Sequence, residues 1–225
     1  MLEFRRSMGR AERGSTEPLL VVDADGVTWL VKLAPAPMLD HVAELVSAHL
    51  ARAAAIDIPE ARVGRVGPAL RAAMARGPAH ERRFASAVAA LGPDVFASRW
   101  LDAEDVTAPP DDDAFLARLY AFDLLIHNGD RLPHHPNLLR VAGRLTAMDH
   151  AQGLPWCRDQ AAAPADELPH VGRARGLAPA PLPIREQDLL DAVAAIPAGW
   201  LSALRRESLA EGLAERLAWL QQRWG

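Results

Sequence analysis

Hydrophobic and polar positions alternate in two different rhythms along this chain. Residues 18–33, PLLVVDADGVTWLVKL, carry two apolar, β-rich runs on either side of Asp25-Gly26. Asp-Gly between such runs is a strong turn signal, so the stretch predicts a β-hairpin. RSMGRAERGST, just before it, is a Gly- and Ser-containing segment, and APAP at 34–37 breaks the second strand. Residues 39–55 change rhythm. Val42, Leu45, Val46 and Leu50 recur at helical spacing on one face, with Asp40 as a candidate N-cap. ARVGRV, after DIPE, reads as a further strand. Residues 68–92 read as helix in pieces, interrupted at Gly77-Pro78, and FASRWL (96–101) as a short strand or linker. DAEDVTAPPDDD (102–113) is an acidic, Pro-containing loop. AFLARLYAFDLLI (114–126) is an apolar helix, and it delivers the chain to HNGDRLPHHPN (127–137). NLLRVAGRLTAMD (137–149) predicts a second hairpin turning at Ala142-Gly143. Residues 158–184 are Pro/Ala-rich and irregular. Helical spacing returns from Arg185 to Trp224, split by Pro197, and no internal repeat is visible.

This order, sheet and one helix first, then a mostly helical half with an embedded hairpin, is α+β and predicts two lobes. The boundary falls near residues 100–112, with a β-rich N-lobe over 1–101 and a helical C-lobe over 102–225 of a single domain.

Composition narrows the function. At 225 residues, half of them apolar, the chain can bury a substantial core. A net charge of −4 argues against a general nucleic-acid binder without excluding a local basic pocket. Cys157 is the only cysteine, so no internal disulfide forms and a reducing compartment fits. No apolar run reaches membrane-spanning length and the start lacks a signal-peptide core; the expected location is cytoplasmic. Among 25 basic residues Lys32 is the only lysine, and Asn128 and Asn137 are the only asparagines. Abundant Ala, Arg, Pro and Gly point to a GC-rich genome, which drains Lys and Asn codons. Those that persist become candidates for chemistry, and both asparagines lie within ten positions of Asp130.

Four of the eight histidines fall between His127 and His150. A zinc-like site needs imidazoles converging at about 2 Å from one ion. His134 and His135 are adjacent and diverge in an extended loop, and no H-x-x-x-H pair is present, so the metal reading is disfavoured. Cys157, beside Trp156 in an apolar context, reads as an inert thiol. Trp29, Trp100, Trp200 and Trp219 read as core packing, and the DDD run at 111–113 as a solvated helix start.

Phosphoryl transfer from ATP needs a phosphate-covering loop, a strand lysine, a helix glutamate, a catalytic carboxylate, and an Asn and an Asp for the metal, in that chain order in protein-kinase-like enzymes. Here Gly14, Ser15 and Thr16 precede the first strand of the hairpin, Lys32 sits on its second, and Glu44 lies in the next helix. Asp130 follows the apolar helix, and Asn137 and Asp149 bracket a hairpin that can bring them side by side.

FDLLIHNGDR…HHPNLL, followed by LTAMDHAQGLPW, resembles the HipA-like kinase family, whose catalytic segment reads N-x-D-R-H-x-x-N-L before a hairpin ending I-D-H-G. WLVKL, AELVSAHLARAAAIDIPE, FASRWL and AAIPAGWL match further family segments in order, so that residues 14–205 are covered. The resemblance implies a bilobal protein-kinase-like fold and an ATP- and Mg2+-dependent phosphotransferase acting on a hydroxyl, most members being serine/threonine protein kinases. It implies that Asp130 is the catalytic base or hydroxyl-orienting carboxylate and that Asn137 and Asp149 bind magnesium. It gives Lys32, steadied by Glu44, the α/β-phosphates, and puts Ser15 and Thr16 in the phosphate loop. Ser98, Arg99, Trp100 and Leu101 would lie near the adenine. Asn128, Arg131, His134 and His150 would support the catalytic loop.

Two departures bear on activity. Asn137 follows Asp130 by seven residues where the family has five, as though Leu132-Pro133 were inserted. Ala151-Gln152 also separates Asp149-His150 from Gly153. If the first insertion displaces Asn137, the chain is a pseudokinase or nucleotide-binding module, such as an antitoxin-like component or adaptor. A small-molecule kinase is the third reading, with the acidic 102–113 segment attracting a cationic substrate.

Overall fold

The computed structural model describes residues 1–12, 18–32, 38–158 and 168–225, without the side chains of Cys157 and Arg158. The chain divides into two compact units: residues 1–41 with 59–101, and residues 42–58 with 102–225.

In the first unit, β1 (Leu2–Arg10), β2 (Leu19–Asp23), β3 (Thr28–Val31), β4 (Ala61–Val66) and β5 (Asp94–Arg99) close into a barrel in the order β1-β2-β3-β5-β4. All pairs are antiparallel except β1 with β4, which closes it. The β2–β3 turn is tied by Asp23 as well as by Asp25-Gly26. The buried Asp23 carboxylate accepts from the Asp25 and Val27 amides (both 2.9 Å) and from Trp29 Nε1 (2.8 Å). Helices α2 (Pro68–Met74) and α3 (Ala79–Leu91) add Leu70, Met74, Phe84 and Val88 to a core of Phe4, Leu19, Val21, Trp29, Val31 and Val95. Phe4 lies so close to β4 that a Cβ at position 64 would fall 2.1 Å from its ring, which is why that strand carries Gly64.

Helix α1 (Met38–Ala53) begins in the first unit and, from Val42, belongs to the second. Val42, Leu45, Val46 and Leu50 are buried as their spacing predicts. Asp40 is inside the first turn rather than at the cap. The second unit also holds β6 (Glu104–Val106), α4 (Asp113–Ile126), β7 (Leu138–Val141), β8 (Arg144–Ala147), α5 (Val171–Ala174), α6 (Glu186–Ala194) and α7 (Ala203–Trp224). β6, β7 and β8 form a small antiparallel sheet. Ala142 (φ 46°) and Gly143 (φ 82°) both turn left-handed between β7 and β8, as a type I′ hairpin requires. From Phe115 onward α4 is buried almost all round, as expected of a helix at the centre of its unit. Leu209, Leu213, Leu217 and Leu220 form the buried stripe of α7. Trp29 and Trp200 are core residues; Trp100 and Trp219 are only half-buried, so the core reading holds for the first pair alone. Among the described residues no helix is long and apolar enough to cross a membrane.

Candidate active site

A buried carboxylate organises the site. Asp123 lies within α4, one turn before its end, and is 1 % exposed. A charge there must be paired and hydrogen-bonded to be tolerated. Its oxygens receive Arg131 Nε and Nη2, Asn128 Nδ2 at 3.2 Å, and His170 Nε2 at 2.9 Å. His170 Nδ1 accepts the Gly172 amide at 2.9 Å, so the proton sits on Nε2 and points at Asp123. Burial alone would push the Asp123 carboxyl up; the Arg131 guanidinium and the His170 hydrogen bond outweigh it and hold the group well below the usual carboxylate range.

The fully buried Arg131 carries this anchor onward. Its Nη1 donates to the carbonyls of Pro136 (3.0 Å), Asn137 (2.9 Å) and Met148 (3.5 Å). One guanidinium thus fixes both ends of the β7–β8 hairpin to the end of α4. The Met148 amide in turn donates to the Asn137 carbonyl at 3.0 Å, which sets Asn137 opposite Met148. Asn137 Nδ2 donates to the Asp130 carbonyl (3.0 Å) and to Asp130 Oδ2 (3.4 Å). Both partners are acceptors, which assigns the amide nitrogen to that side and leaves Asn137 Oδ1 without a hydrogen bond among the described residues. The Asp130 amide rests on Asn128 Oδ1 at 3.4 Å. Asp130, Asn137, Asn128 and Arg131 are therefore brought into direct contact, with Asp149 next to the hairpin's closing bond.

Both departures from the family spacing are absorbed as two-residue turns. Leu132 and His135 exchange backbone hydrogen bonds (3.2 and 3.0 Å) around Pro133-His134. The Gly153 amide closes on the His150 carbonyl at 3.0 Å around Ala151-Gln152. His134 is exposed in the first of these turns; the histidine buried in the carboxylate network is His170. His134→Ala should therefore change the unfolding free energy by no more than about 0.5 kcal/mol, as is usual for exposed positions away from buried networks. Urea melts of the variant and wild type check this.

Backbone strain gathers here. Four of the six non-glycine residues with positive φ among the described residues are His127, Asn137, Asp149 and Leu154. Such residues cost on the order of 1–3 kcal/mol each and persist where surrounding structure over-determines them. The bracing is visible. The Leu154 amide donates to the Ile126 carbonyl at 2.7 Å, and Arg216 of α7 donates to the Leu124 and Leu125 carbonyls while its guanidinium lies 5.6 Å from the Trp156 ring. A cation on these unsatisfied carbonyls also suits the negative end of α4.

The other expected site residues stand as follows. Glu44 Oε2 accepts the His150 amide at 3.2 Å, tying α1 to the residue after Asp149. His150 is buried, with its ring edge-on to Phe122. Lys32 is the first residue past β3, half-buried, in the first unit. Arg99 ends β5 and its guanidinium lies 3.7 Å from Glu60; the Trp100 amide donates to the Thr28 carbonyl at 3.0 Å. Leu101 is the last residue of the first unit. Ser15 and Thr16 lie outside the described residues, as does the Cys157 side chain. Among the described residues no three His, Cys, Asp or Glu side chains are arranged to hold a metal ion.

Two buried histidines titrate abnormally. Burial lowers both His41 and His127 to about 4; the charge of Lys32 adds to the effect at His41 and that of Arg216 at His127, while Asp40 opposes it at His41. His41 Nδ1 accepts the Phe96 amide at 3.2 Å, a bond available only to the neutral ring. A histidine whose folded pKa is depressed stabilises the fold above its unfolded value and loses that contribution as pH falls. Stability should thus fall by a few kcal/mol between about pH 6.5 and 4. Urea melts across that range should show the slope, and His41→Gln should flatten it.

Comparison with known proteins gives the family and the fold. The family model for the HipA-like kinase matches residues 5–163, well over half of the sequence. The chain belongs to the HipA-like kinase family. Among solved structures, the Helicobacter pylori proinflammatory kinase CtkA is similar over 96 % of this chain and 92 % of its own, with a TM-score of 0.52 and 14 % identity. That likeness carries the fold, a bilobal protein-kinase-like α+β architecture with a β-rich N-terminal unit. No curated protein matches the chain. In this HipA-like kinase the contact of Asp130 with Asn137 rests on a framework anchored by Asp123 and His170. Sequence reasoning passed over both anchors. Asp123 had a readable signal, a carboxylate inside an otherwise apolar helix.

Proposed function

We propose that this HipA-like kinase is an ATP- and Mg2+-dependent phosphotransferase that acts on a hydroxyl, that of a protein serine or threonine, in the cytoplasm. The observation that carries the proposal is the hydrogen-bonded pair of Asp130 and Asn137, kept together despite the Leu132-Pro133 insertion. An inactive module was the alternative if the insertion moved Asn137 away, and nothing in this contact favours it.

The donor set fits a hard cation. Asn137 Oδ1 and the Asp149 carboxylate are oxygen ligands of the kind magnesium takes alongside phosphates. When bound, magnesium neutralises charge on the phosphate oxygens. Asp130, on the catalytic loop, orients the acceptor hydroxyl and takes its proton. Asn128 holds the Asp130 backbone, and Arg131 keeps loop and hairpin in register. Lys32 is the proposed ligand of the α/β-phosphates, Ser15 and Thr16 of the phosphate loop, and Arg99 to Leu101 of the adenine. Transfer of the γ-phosphate from ATP to a serine-containing protein or to the chain itself, with magnesium and with a chelator, tests the reading. Metal-dependent transfer supports it, and transfer undetectable with any hydroxyl acceptor sinks it.

A further inference from the structure

The ladder between β3 and β5 ends just before Lys32. The strands pair antiparallel, with Trp29 opposite Arg99, Leu30 opposite Ser98 and Val31 opposite Ala97. At the far end of this pairing the Trp100 amide donates to the Thr28 carbonyl at 3.0 Å. Amides of a strand face a given neighbour at every second residue, so the same ladder carried four residues on takes the Phe96 amide to the Lys32 carbonyl. An imidazole stands there instead. The Phe96 amide donates to His41 Nδ1 at 3.2 Å, and His41 is also hydrogen-bonded to the Lys32 backbone. A neutral imidazole accepts at one nitrogen and donates at the other. With Nδ1 accepting, Nε2–H is the donor and the Lys32 carbonyl its acceptor.

We propose that His41 is a positioning residue for Lys32: its ring, spliced into the β3–β5 ladder, leads the Lys32 backbone away from β5 and so sets the direction from which the ammonium reaches the ATP phosphates. The inference rests on Lys32 as the phosphate ligand. A direct bond from Phe96 to Lys32 would satisfy the same two backbone groups without a buried imidazole, so satisfying them is not what the ring adds. Nor does a ligand account for it. The adjoining cavity, bordered by Lys32, Met38, His41, Phe84, Val88 and Val95, has about 20 Å3, room for about one water. What the ring adds is separation. Directly bonded strands lie about 4.8 Å apart, and a ring between donor and acceptor holds them wider. His41 is 7 % exposed and belongs to the first turn of α1, so the spacer is held from outside the sheet.

Lys32 is the only lysine, so the full chain grown with lysine carrying 13C at its carbonyl gives a single lysine carbonyl resonance. His41→Asn supplies an acceptor near the place of Nδ1 but no donor as far out as Nε2. It should keep the Phe96 bond, lose the Lys32 bond and move that resonance. His41→Gln carries its donor as far out as Nε2 and should return the resonance towards its wild-type position. The affinity of the same proteins for magnesium-ATP is measured calorimetrically. Lys32→Ala and His41→Asn should each weaken it about tenfold, the worth of one charge-assisted hydrogen bond, and His41→Gln should recover most of the loss. In the Lys32→Ala background His41→Asn should add nothing, whereas a merely destabilising substitution would act in both backgrounds. Equal losses in both backgrounds, unchanged affinity in His41→Asn, or a resonance that His41→Asn leaves in place overturns the proposal. Unchanged affinity in Lys32→Ala overturns the phosphate role of Lys32 and the proposal with it; the carbonyl resonance, which needs no nucleotide, tells the two failures apart. If His41→Asn folds poorly, 15N spectra of the wild-type His41 ring decide: a proton on Nε2 supports the proposal and one on Nδ1 overturns it.

Discussion

Asp130→Asn is expected to lower γ-phosphoryl transfer by about a hundred- to ten-thousand-fold, the range that a positioned general base supplies. The amide keeps the size of the carboxylate and can still accept a bond from Asn137 Nδ2, which now reaches the Asp130 carbonyl and Oδ2. Loop and hairpin should therefore stay in register and nucleotide affinity should change little. What is lost is the negative oxygen that would take the acceptor's proton. Single-turnover transfer and ATP binding, measured side by side, separate these effects. A parallel fall in binding would mean that Asp130 is holding the loop rather than acting on the hydroxyl.

Arg131→Met is expected to destabilise the second unit by about 3–5 kcal/mol, the usual result of removing one partner of a buried ion pair. Methionine fills part of the volume but leaves the Asp123 carboxylate without its cation and the Pro136 and Asn137 carbonyls without their donor. pH gives a second handle. In the wild type the Asp123 carboxyl lies below its ordinary value, so its contribution is present above about pH 4 and is lost below it. Without Arg131, burial dominates and raises the group. The variant then binds a proton that the wild type refuses, and its stability deficit should shrink as pH falls from about 7 towards 5. Denaturant melts of both proteins at several pH values test this. A deficit that stays constant with pH would assign the loss to packing, not to charge.

Sequence-level reading succeeds where local chemistry decides structure. Asp25-Gly26 and Ala142-Gly143 each mark a hairpin turn, and the apolar face of α1 marks its burial. It misses β1, because LEFRRSMGR does not alternate: of its nine residues only Phe4 is buried, and register shifts follow Phe4 and Ser7. Its strand character comes from pairing with β2 and β4, which no local pattern reveals. The same distinction holds at the site. That Asn137 comes to face the far end of the hairpin at Met148 is legible because a hairpin must bring its ends together. His170 is not, because its bond to Asp123 spans 47 positions and leaves no mark on either neighbourhood. The fate of Leu132-Pro133 was open for a related reason. Spacing alone cannot say whether two extra residues push Asn137 away from Asp130. Arg131 settles it by gripping the carbonyls of Pro136 and Asn137, so that the extra length closes into a turn of its own.

The most direct test of the proposed chemistry is a crystal structure of the chain with magnesium and a non-hydrolysable ATP analogue. One ion is expected, bound by both Asn137 Oδ1 and the Asp149 carboxylate at about 2.1 Å, with Asp130 facing the γ-phosphate. An ion and triphosphate held elsewhere, with Asn137 and Asp149 taking no part, would contradict it.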